Sequence, residues 1–352
     1  MLHGIVTSDW HLGGMTKIFA NPTEKQMVEI HKPYQYAIEH SIEHLFMPGD
    51  VADTASLSEH DLLALVKLLL TYDEHVTTYL ILGNHDIESI KKTSMDILKV
   101  MSESGMFKRF KIFFKPELKR IEGINVCFMP FPHTKVLEAT KPPLVFAHIE
   151  TVGALGDNGR PLKASTHEGN EFERQPGDFI FSGHLHQQQY LKNKRISYGG
   201  SLYQKNFGEA MPKGFLDFTA KYVQGKLVVT QEVINSHPNF TLETVLIQAS
   251  KDWDALSKDP NIRYKILIGE GVVVPRDITT NFPNIVYLNG ASSRTKVNMD
   301  GTIDNGSQTL KDLPTFSLTT GLSKYLREAE LNPRQIKRAK QWVKEARESV
   351  RI

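Results

Sequence analysis

The chain has 352 residues, long enough for one large domain with a smaller appendage, and its 40% hydrophobic and 23% charged content excludes a disordered or fibrous protein. Its apolar runs, such as Leu62 to Leu70, are too short to cross a bilayer and carry helical spacing. The net charge of +2 is unevenly spread: Ser317 to Ile352 holds nine Lys/Arg against four Glu, a surplus of five, which leaves the remaining body at −3 and without the footprint of a strongly basic nucleic-acid binder.

From the first residues an apolar strand, Gly4–Thr7, is predicted, with no basic leader or small-residue cleavage site before it, so a protein of the cytosol is expected. A helix over Pro33–Leu45 follows, then a strand at Leu45–Met47 and a helix over Ser58–Tyr72, opened by Ser58 and Asp61 at capping-box spacing. Further strands are predicted at Val76–Leu82, Asn125–Met129, Leu144–Ala147 and Phe179–Ser182. The one cysteine, Cys127, sits in the second of these. It cannot form an internal disulfide or a thiolate cluster, and its apolar flanks make it a buried structural residue of a reducing compartment. The alternation of strands and helices argues an α/β domain over residues 1–235, closed by an amphipathic strand at Lys226–Ile234.

Residues 236–290 read as a small αβ module: strand Thr244–Ala249, helix Trp253–Ser257, strands Arg263–Ile268 and Ile285–Leu288. Residues 291–314 are rich in Gly, Asn, Ser, Asp and Thr and are expected to be a flexible tether. Two helices are then predicted within 315–352. Leu322, Tyr325, Leu326 and Ala329 recur at helical spacing in the first. The second has Asn332 as N-cap and Pro333 at its first position, with Ile336, Ala339, Trp342, Val343, Ala346 and Val350 along one face. These apolar faces have no core left to cover them and read as a partner-docking surface.

Four motifs put Asp, His and Asn just after predicted strands: Asp9-Trp10-His11, Gly49-Asp50, Gly83-Asn84-His85-Asp86 and Gly183-His184-Leu185-His186; His148 follows Leu144–Ala147. The carboxyl ends of strands are where α/β sheets assemble sites, and the glycines suit sharp turns and close approach. Two neighbouring divalent ions need a bridging carboxylate, neutral imidazoles and oxygen ligands, and this set supplies all three without a thiolate. Asp50 suits the bridge. His40 and His44 fall i, i+4 on the predicted helix, but with no third ligand they read as surface residues.

In this order the motifs resemble the calcineurin-like metallophosphoesterase superfamily over residues 1–186. The resemblance implies a four-layer α-β-β-α sandwich. It also implies a first metal on Asp9, His11, Asp50 and His186, and a second on Asp50, Asn84, His148 and His184. His85 would then orient the phosphate or protonate the leaving oxygen, and manganese would be the usual metal. Gly49 to Ala55 lacks the arginine that follows the same motif in the superfamily's protein phosphatases.

The segment Tyr198-Gly199-Gly200-Ser201-Leu202-Tyr203-Gln204-Lys205-Asn206-Phe207-Gly208-Glu209, followed by Lys213-Gly214-Phe215, is similar to the SbcD-type exonucleases of double-strand-break repair, above all the short ones of tailed phages. That resemblance implies DNA as substrate, a small αβ capping domain, and a C-terminal helix pair that docks on an SbcC-type coiled-coil ATPase, in a heterotetramer built on a homodimer of this chain. No Walker A pattern occurs in the sequence, so an ATP-driven step needs another subunit. Two readings stay open: this DNA nuclease subunit, and a free-standing phosphodiesterase or phosphatase for a small molecule.

Overall fold

A computed structural model describes residues 1–87, 93–157, 159–163 and 172–290, with the short strands Thr295–Val297 and Ile303–Asn305. The chain divides into two compact units, Met1–Asp304 and Asn305–Ile352. The predicted helix pair, with Leu322, Tyr325, Leu326, Ile336, Ala339, Trp342, Val343 and Val350, lies outside the described residues. Part of the expected tether is ordered into a two-stranded sheet of Thr295–Val297 and Ile303–Asn305.

In the first unit the elements run β1 (Leu2–Val6), α1 (Pro22–Glu39), β2 (His44–Pro48), α2 (Glu59–Tyr72), β3 (Thr77–Ile81), α3 (Met95–Glu103), β4 (Phe110–Phe113), β5 (Glu117–Ile121), β6 (Ile124–Met129), β7 (Leu144–His148), β8 (Phe179–Gly183), β9 (Gln189–Leu191), β10 (Ile196–Tyr198), β11 (Gly214–Val223) and β12 (Lys226–Asn235). They form two six-stranded sheets, in the orders β12-β11-β1-β2-β3-β4 and β5-β6-β7-β8-β10-β9. Strands β7 and β8 are buried along their whole length, as parallel strands covered on both faces must be, and their unbroken apolar runs reflect it.

The sheets meet through aromatic side chains. Phe46 of β2 stacks on Phe146 of β7 with centroids 4.1 Å apart, and Phe113 of β4 on Phe128 of β6 at 3.9 Å. Helices α1, α2 and α3 cover the outer face of the first sheet through Ile30, Tyr34, Leu65, Leu68 and Leu98. Over the second sheet, loop residues Val136, Ile149, Ala154 and Leu162 do that work, and no helix covers it among the described residues. The two-sheet α/β architecture expected from the sequence is therefore present, with fewer helices than four full layers imply.

The first helix differs from its prediction. It starts at Pro22, which takes the favoured first position after Asn21, and runs through Pro33 to end at Glu39. Pro33 lies inside, where its missing N–H removes one helical bond. Leu45 belongs to β2, so His40 ends the helix and His44 stands on a strand; they do not form a helical pair. The second helix begins as read: the Ser58 hydroxyl accepts the Asp61 N–H at 3.1 Å.

After β12 the chain builds a three-stranded parallel sheet, β13 (Thr241–Ile247), β14 (Ile262–Ile268) and β15 (Ile285–Gly290), with the short α4 (Ile278–Asn281) before β15. Trp253 lies in a 3-10 turn, Ser250–Ala255, rather than an α-helix. This module has its own core of Ile247, Trp253, Tyr264, Ile266 and Leu288. It is also tied to the sandwich. Phe240 packs on Phe19 (5.0 Å between centroids), the Arg263 guanidinium lies over the Phe19 ring, and the Gln204 side chain bonds both the N–H and the carbonyl of Leu242 (2.9 and 3.1 Å). No helix among the described residues is long and apolar enough to cross a membrane.

Candidate metal centre

The sandwich brings the carboxyl ends of β1, β2, β3, β7 and β8 to one place, and with them every sequence-predicted site residue of the first unit. Asp9 and His11 follow β1, Asp50 follows β2, Asn84 and His85 follow β3, His148 ends β7, and His184 and His186 follow β8. Turning the chain so abruptly costs backbone freedom. Asp9, His11, Asp50 and His184 all have positive φ (54°, 46°, 55° and 89°), a region side chains other than glycine rarely enter. Two glycines make the crowding possible: a Cβ on Gly49 would lie 2.5 Å from His148 Nδ1, and one on Gly183 would run into the Pro48 carbonyl.

The side chains form two groups that share Asp50. In one, Asp9, His11 and His186 present ligand atoms within 4.8 Å of one another. His11 Nε2 faces His186 Nε2 at 3.0 Å and Asp50 Oδ2 at 3.8 Å. In the other, His148 Nε2 faces Asn84 Oδ1 at 2.8 Å and Asp50 Oδ2 at 3.3 Å, and His184 Nδ1 lies 2.9 Å from the same Asn84 oxygen. His85 stands beside them with its ring perpendicular to that of His11, centroids 4.7 Å apart.

Ring tautomers show which atoms are turned inward. His148 Nδ1 donates to the Pro48 carbonyl (2.9 Å), which directs Nε2 into the site. His184 Nε2 is paired with Glu150 (2.8 Å), which directs Nδ1 inward, and His186 Nδ1 is paired with Glu209 (3.0 Å), which directs Nε2 inward. Acceptor atoms therefore converge from all sides, and a cation is what such a set requires.

Electrostatics give the same answer. Burial opposes charge on His148, yet the adjacent Asp50 carboxylate pushes its pKa up to about 9. Burial likewise opposes charge on His186, yet Asp157 and Glu209 push it up to about 10. Burial holds His11 and His184 low. Each half of the centre thus sets one histidine of raised pKa among its acceptors, the position a cation would favour. The chemistry of these residues fits two divalent ions; Asp9, His11, Asp50 and His186 would hold one, and Asp50, Asn84, His148 and His184 the other.

A second ring of residues was not singled out by sequence reasoning. Asp86, fully buried, accepts the N–H groups of Asp50 (2.9 Å), Ala52 (2.9 Å) and Gly83 (2.8 Å), and so locks the β2 and β3 turns together. Burial and the Asp50 charge raise its pKa well above the carboxylate norm. Asp53 lies 3.4 Å from His11 Nδ1, and Lys205 Nζ is 2.9 Å from the same atom and 2.8 Å from Asp53 Oδ1. Glu209 holds His186 and is itself held by Lys213, which is 1% exposed (2.6 Å). Burial works against ionised Glu209, but these two cations hold its pKa below normal. Lys205, Glu209 and Lys213 stood within the quoted Tyr198–Phe215 segment, so a signal existed; Asp157 and Glu150 carried none.

The sequence profile of the calcineurin-like phosphoesterase family matches residues 4–188, just over half the chain. An uncharacterised protein, R555, of Acanthamoeba polyphaga mimivirus is 22% identical over 286 residues, which cover 76% of this chain and 20% of that protein; the chain thus spans about a fifth of that relative's length. Among solved structures, a novel archaeal phosphodiesterase is similar at 11% identity and TM-score 0.30, over 66% of this chain and 100% of its own. GAP50, the anchor in the inner membrane complex of Plasmodium, is similar at 10% identity and TM-score 0.41, over 67% and 85%.

Two outcomes follow from this geometry. Replacing Glu209 with Gln leaves His186 without its buried anchor, so affinity for one of the two ions should fall by roughly 10- to 100-fold while the other ion is retained, measured by metal titration with elemental analysis. Unchanged affinity for both would show that Glu209 does not orient the ligand. Ions must displace the protons on His148 and His186, so metal affinity should climb as pH rises towards 9 and fall below it, by about tenfold per pH unit for each proton displaced. Calorimetry in buffers of different ionisation enthalpy reads the released protons directly.

Proposed function

This chain belongs to the calcineurin-like phosphoesterase family, and from that premise we propose that it is the DNA-cleaving subunit of an SbcD-type nuclease that works with a separate coiled-coil ATPase. It is a metal-dependent phosphoester hydrolase. The observation that most supports the narrower reading is the use made of Tyr198 to Phe215. The segment that resembles SbcD-type exonucleases is the one whose Lys205, Glu209 and Lys213 surround His11 and His186. A sequence likeness that falls on the walls of the site speaks to substrate handling more than one on a remote hairpin would.

Hydrolysis of a phosphodiester breaks one P–O bond and leaves the departing oxygen in need of a proton. Bound at this centre, two divalent ions, manganese by expectation, would neutralise phosphoryl oxygens and lower the pKa of an attacking water. The His85 ring is fixed by Nδ1–H donating to the Asp53 carbonyl (2.8 Å), so Nε2 is the atom that orients the phosphate and delivers the proton. The His85 N–H donates to Asp50 Oδ1 (2.8 Å), tying the proton donor to the carboxylate shared by both halves. No covalent enzyme intermediate is needed.

The partner reading rests on sequence. Residues 315–352 supply a docking helix pair for an SbcC-type ATPase. Burying Ile336, Trp342, Val343 and Val350 would contribute about 6 kcal/mol before ordering costs, at roughly 1.5 kcal/mol per large side chain. A homodimer is proposed as well, supported by Leu63 and Leu70 on α2 and Ile97 and Val100 on α3, which are exposed apolar side chains. The assembly would serve double-strand-break processing, recombination or replication in the cytosol or nucleoid.

Manganese-loaded protein should degrade linear DNA and stop with EDTA. Cleavage of a small chromogenic diester but not of DNA would instead favour the small-molecule phosphodiesterase. His85→Ala should keep two ions by elemental analysis yet lose two to four orders of magnitude in rate, the usual range for general acid–base help; loss of an ion would make His85 a ligand. Trp342→Glu with Val343→Glu should abolish co-purification with the ATPase and spare basal cleavage. If that double variant lost activity and melted several degrees lower, the helices would belong to the protein's own core.

A further inference from the structure

A cavity of about 650 Å³ opens beside the metal centre, where the loop after β1 and the segment 205–208 meet β14 and β15 of the small module. That volume lies within the range of small-molecule sites, roughly 300–1,000 Å³. Three lysines line it, Lys17, Lys205 and Lys265, together with the rings of Phe207 and Tyr287. Its one carboxylate, Asp53, is paired with Lys205 at 2.8 Å. Among the described residues neither Lys17 nor Lys265 has an ion-pair partner, so the cavity carries two uncompensated cations on a body whose overall charge is close to neutral. Lys205 joins cavity to centre, since its Nζ lies 2.9 Å from His11 Nδ1. Phe207 and Tyr287 meet edge to face, with centroids 5.6 Å apart and planes at 80°, and bring aromatic surface from both sides of the junction.

We propose that this cavity is a nucleotide subsite, seating the nucleoside monophosphate unit next to the phosphate under attack, with its phosphate on the lysines and its base against Phe207 and Tyr287. The ligand class rests on the nuclease reading above. Inorganic phosphate would need the cations alone, and an apolar ligand would leave them unpaired; a phosphate joined to a flat, polarisable base uses both kinds of wall. Stacking on aromatic rings tolerates any base, which suits an enzyme that must process sequence without choosing it. A mononucleotide released from a strand end would fit the same place, so the cavity makes the protein sensitive to its own product.

The test is equilibrium binding to the full chain loaded with manganese, using dAMP and, separately, inorganic phosphate, followed by calorimetry. The wild type should bind dAMP at least about tenfold more tightly than phosphate. Lys17→Gln with Lys265→Gln should weaken dAMP about tenfold and inorganic phosphate with it, whereas Tyr287→Ala should weaken dAMP alone. Equal affinity for the two ligands in the wild type, a lysine pair whose loss leaves dAMP unchanged, or a Tyr287→Ala variant that weakens both ligands alike would overturn the subsite. Cleavage of linear DNA is followed on the same preparations. DNA cleavage without preferential dAMP binding sinks the cavity alone, whereas preferential dAMP binding without DNA cleavage sinks the nuclease reading and keeps the subsite.

Discussion

Asp50 gives both halves of the centre a common carboxylate, and much of the fold around it serves to keep that negative charge buried among imidazoles. It is 1% exposed, lies 3.3 Å from His148 and 3.8 Å from His11, and accepts the His85 N–H. An isolated carboxylate in such a place would protonate rather than stay charged. Its surroundings prevent this: burial opposes ionisation, but His148 and then His11 hold Asp50 far below the usual carboxylate range. Asp86 completes the support by gripping the backbone N–H of Asp50 itself. The positive-φ turns at Asp9, His11, Asp50 and His184 are strain borne for the same purpose, and the buried strands behind them supply the packing that over-determines it.

The second dependence runs from the small module to the ligands. Gln204 bonds Leu242 of β13 and, through the same amide nitrogen, the Glu209 carbonyl, while Glu209 holds His186. The Tyr203 hydroxyl donates to the Trp10 carbonyl, between Asp9 and His11. A short segment thus touches the module on one side and the backbone or ring of two ligands on the other. A continuous hydrogen-bond chain, Leu242 to Gln204 to Glu209 to His186, therefore links the module to the centre.

What the sequence made legible follows from how local each signal is. Strands β7 and β8 were readable because burial on both faces leaves an unbroken apolar run, and the ligands because they cluster at strand ends, with Asp50, Asn84 and His184 directly behind a glycine. Helix α1 was placed from Pro33, whereas it starts at Pro22 and carries Pro33 inside, with Ile30 and Tyr34 packed into the core. Helix α3 and strands β4, β5, β9, β10 and β11 were missed: β5 is an edge strand with three exposed residues, and the three-residue β9 and β10 carry too little pattern to declare themselves. Asp86 was quoted as a motif letter without a role, since its three N–H partners come from two turns 30 residues and more apart. Lys213 was quoted within a motif and given no role. Its burial against Glu209 and Ser201 is a product of tertiary structure alone.

The charge distribution can now be reconciled with a polyanionic substrate. A body near neutrality does not draw nucleic acid over its whole surface, and a weak far field makes for weak non-specific binding. Lysines stand at and beside the centre, Lys205 against His11 and then Lys17 and Lys265 in the adjoining cavity, next to ligand positions that two divalent ions would fill. On the proposed nuclease reading, such an arrangement would hold a phosphate chain only near the reacting bond and leave long-range capture to something else. The basic segment 317–352, with its surplus of five charges, and the surface of an ATPase subunit are the proposed sources of that capture. On the proposed partnership, a chain without a nucleotide-hydrolysis motif would be governed by ATP through its partner, which would control which strands reach the centre.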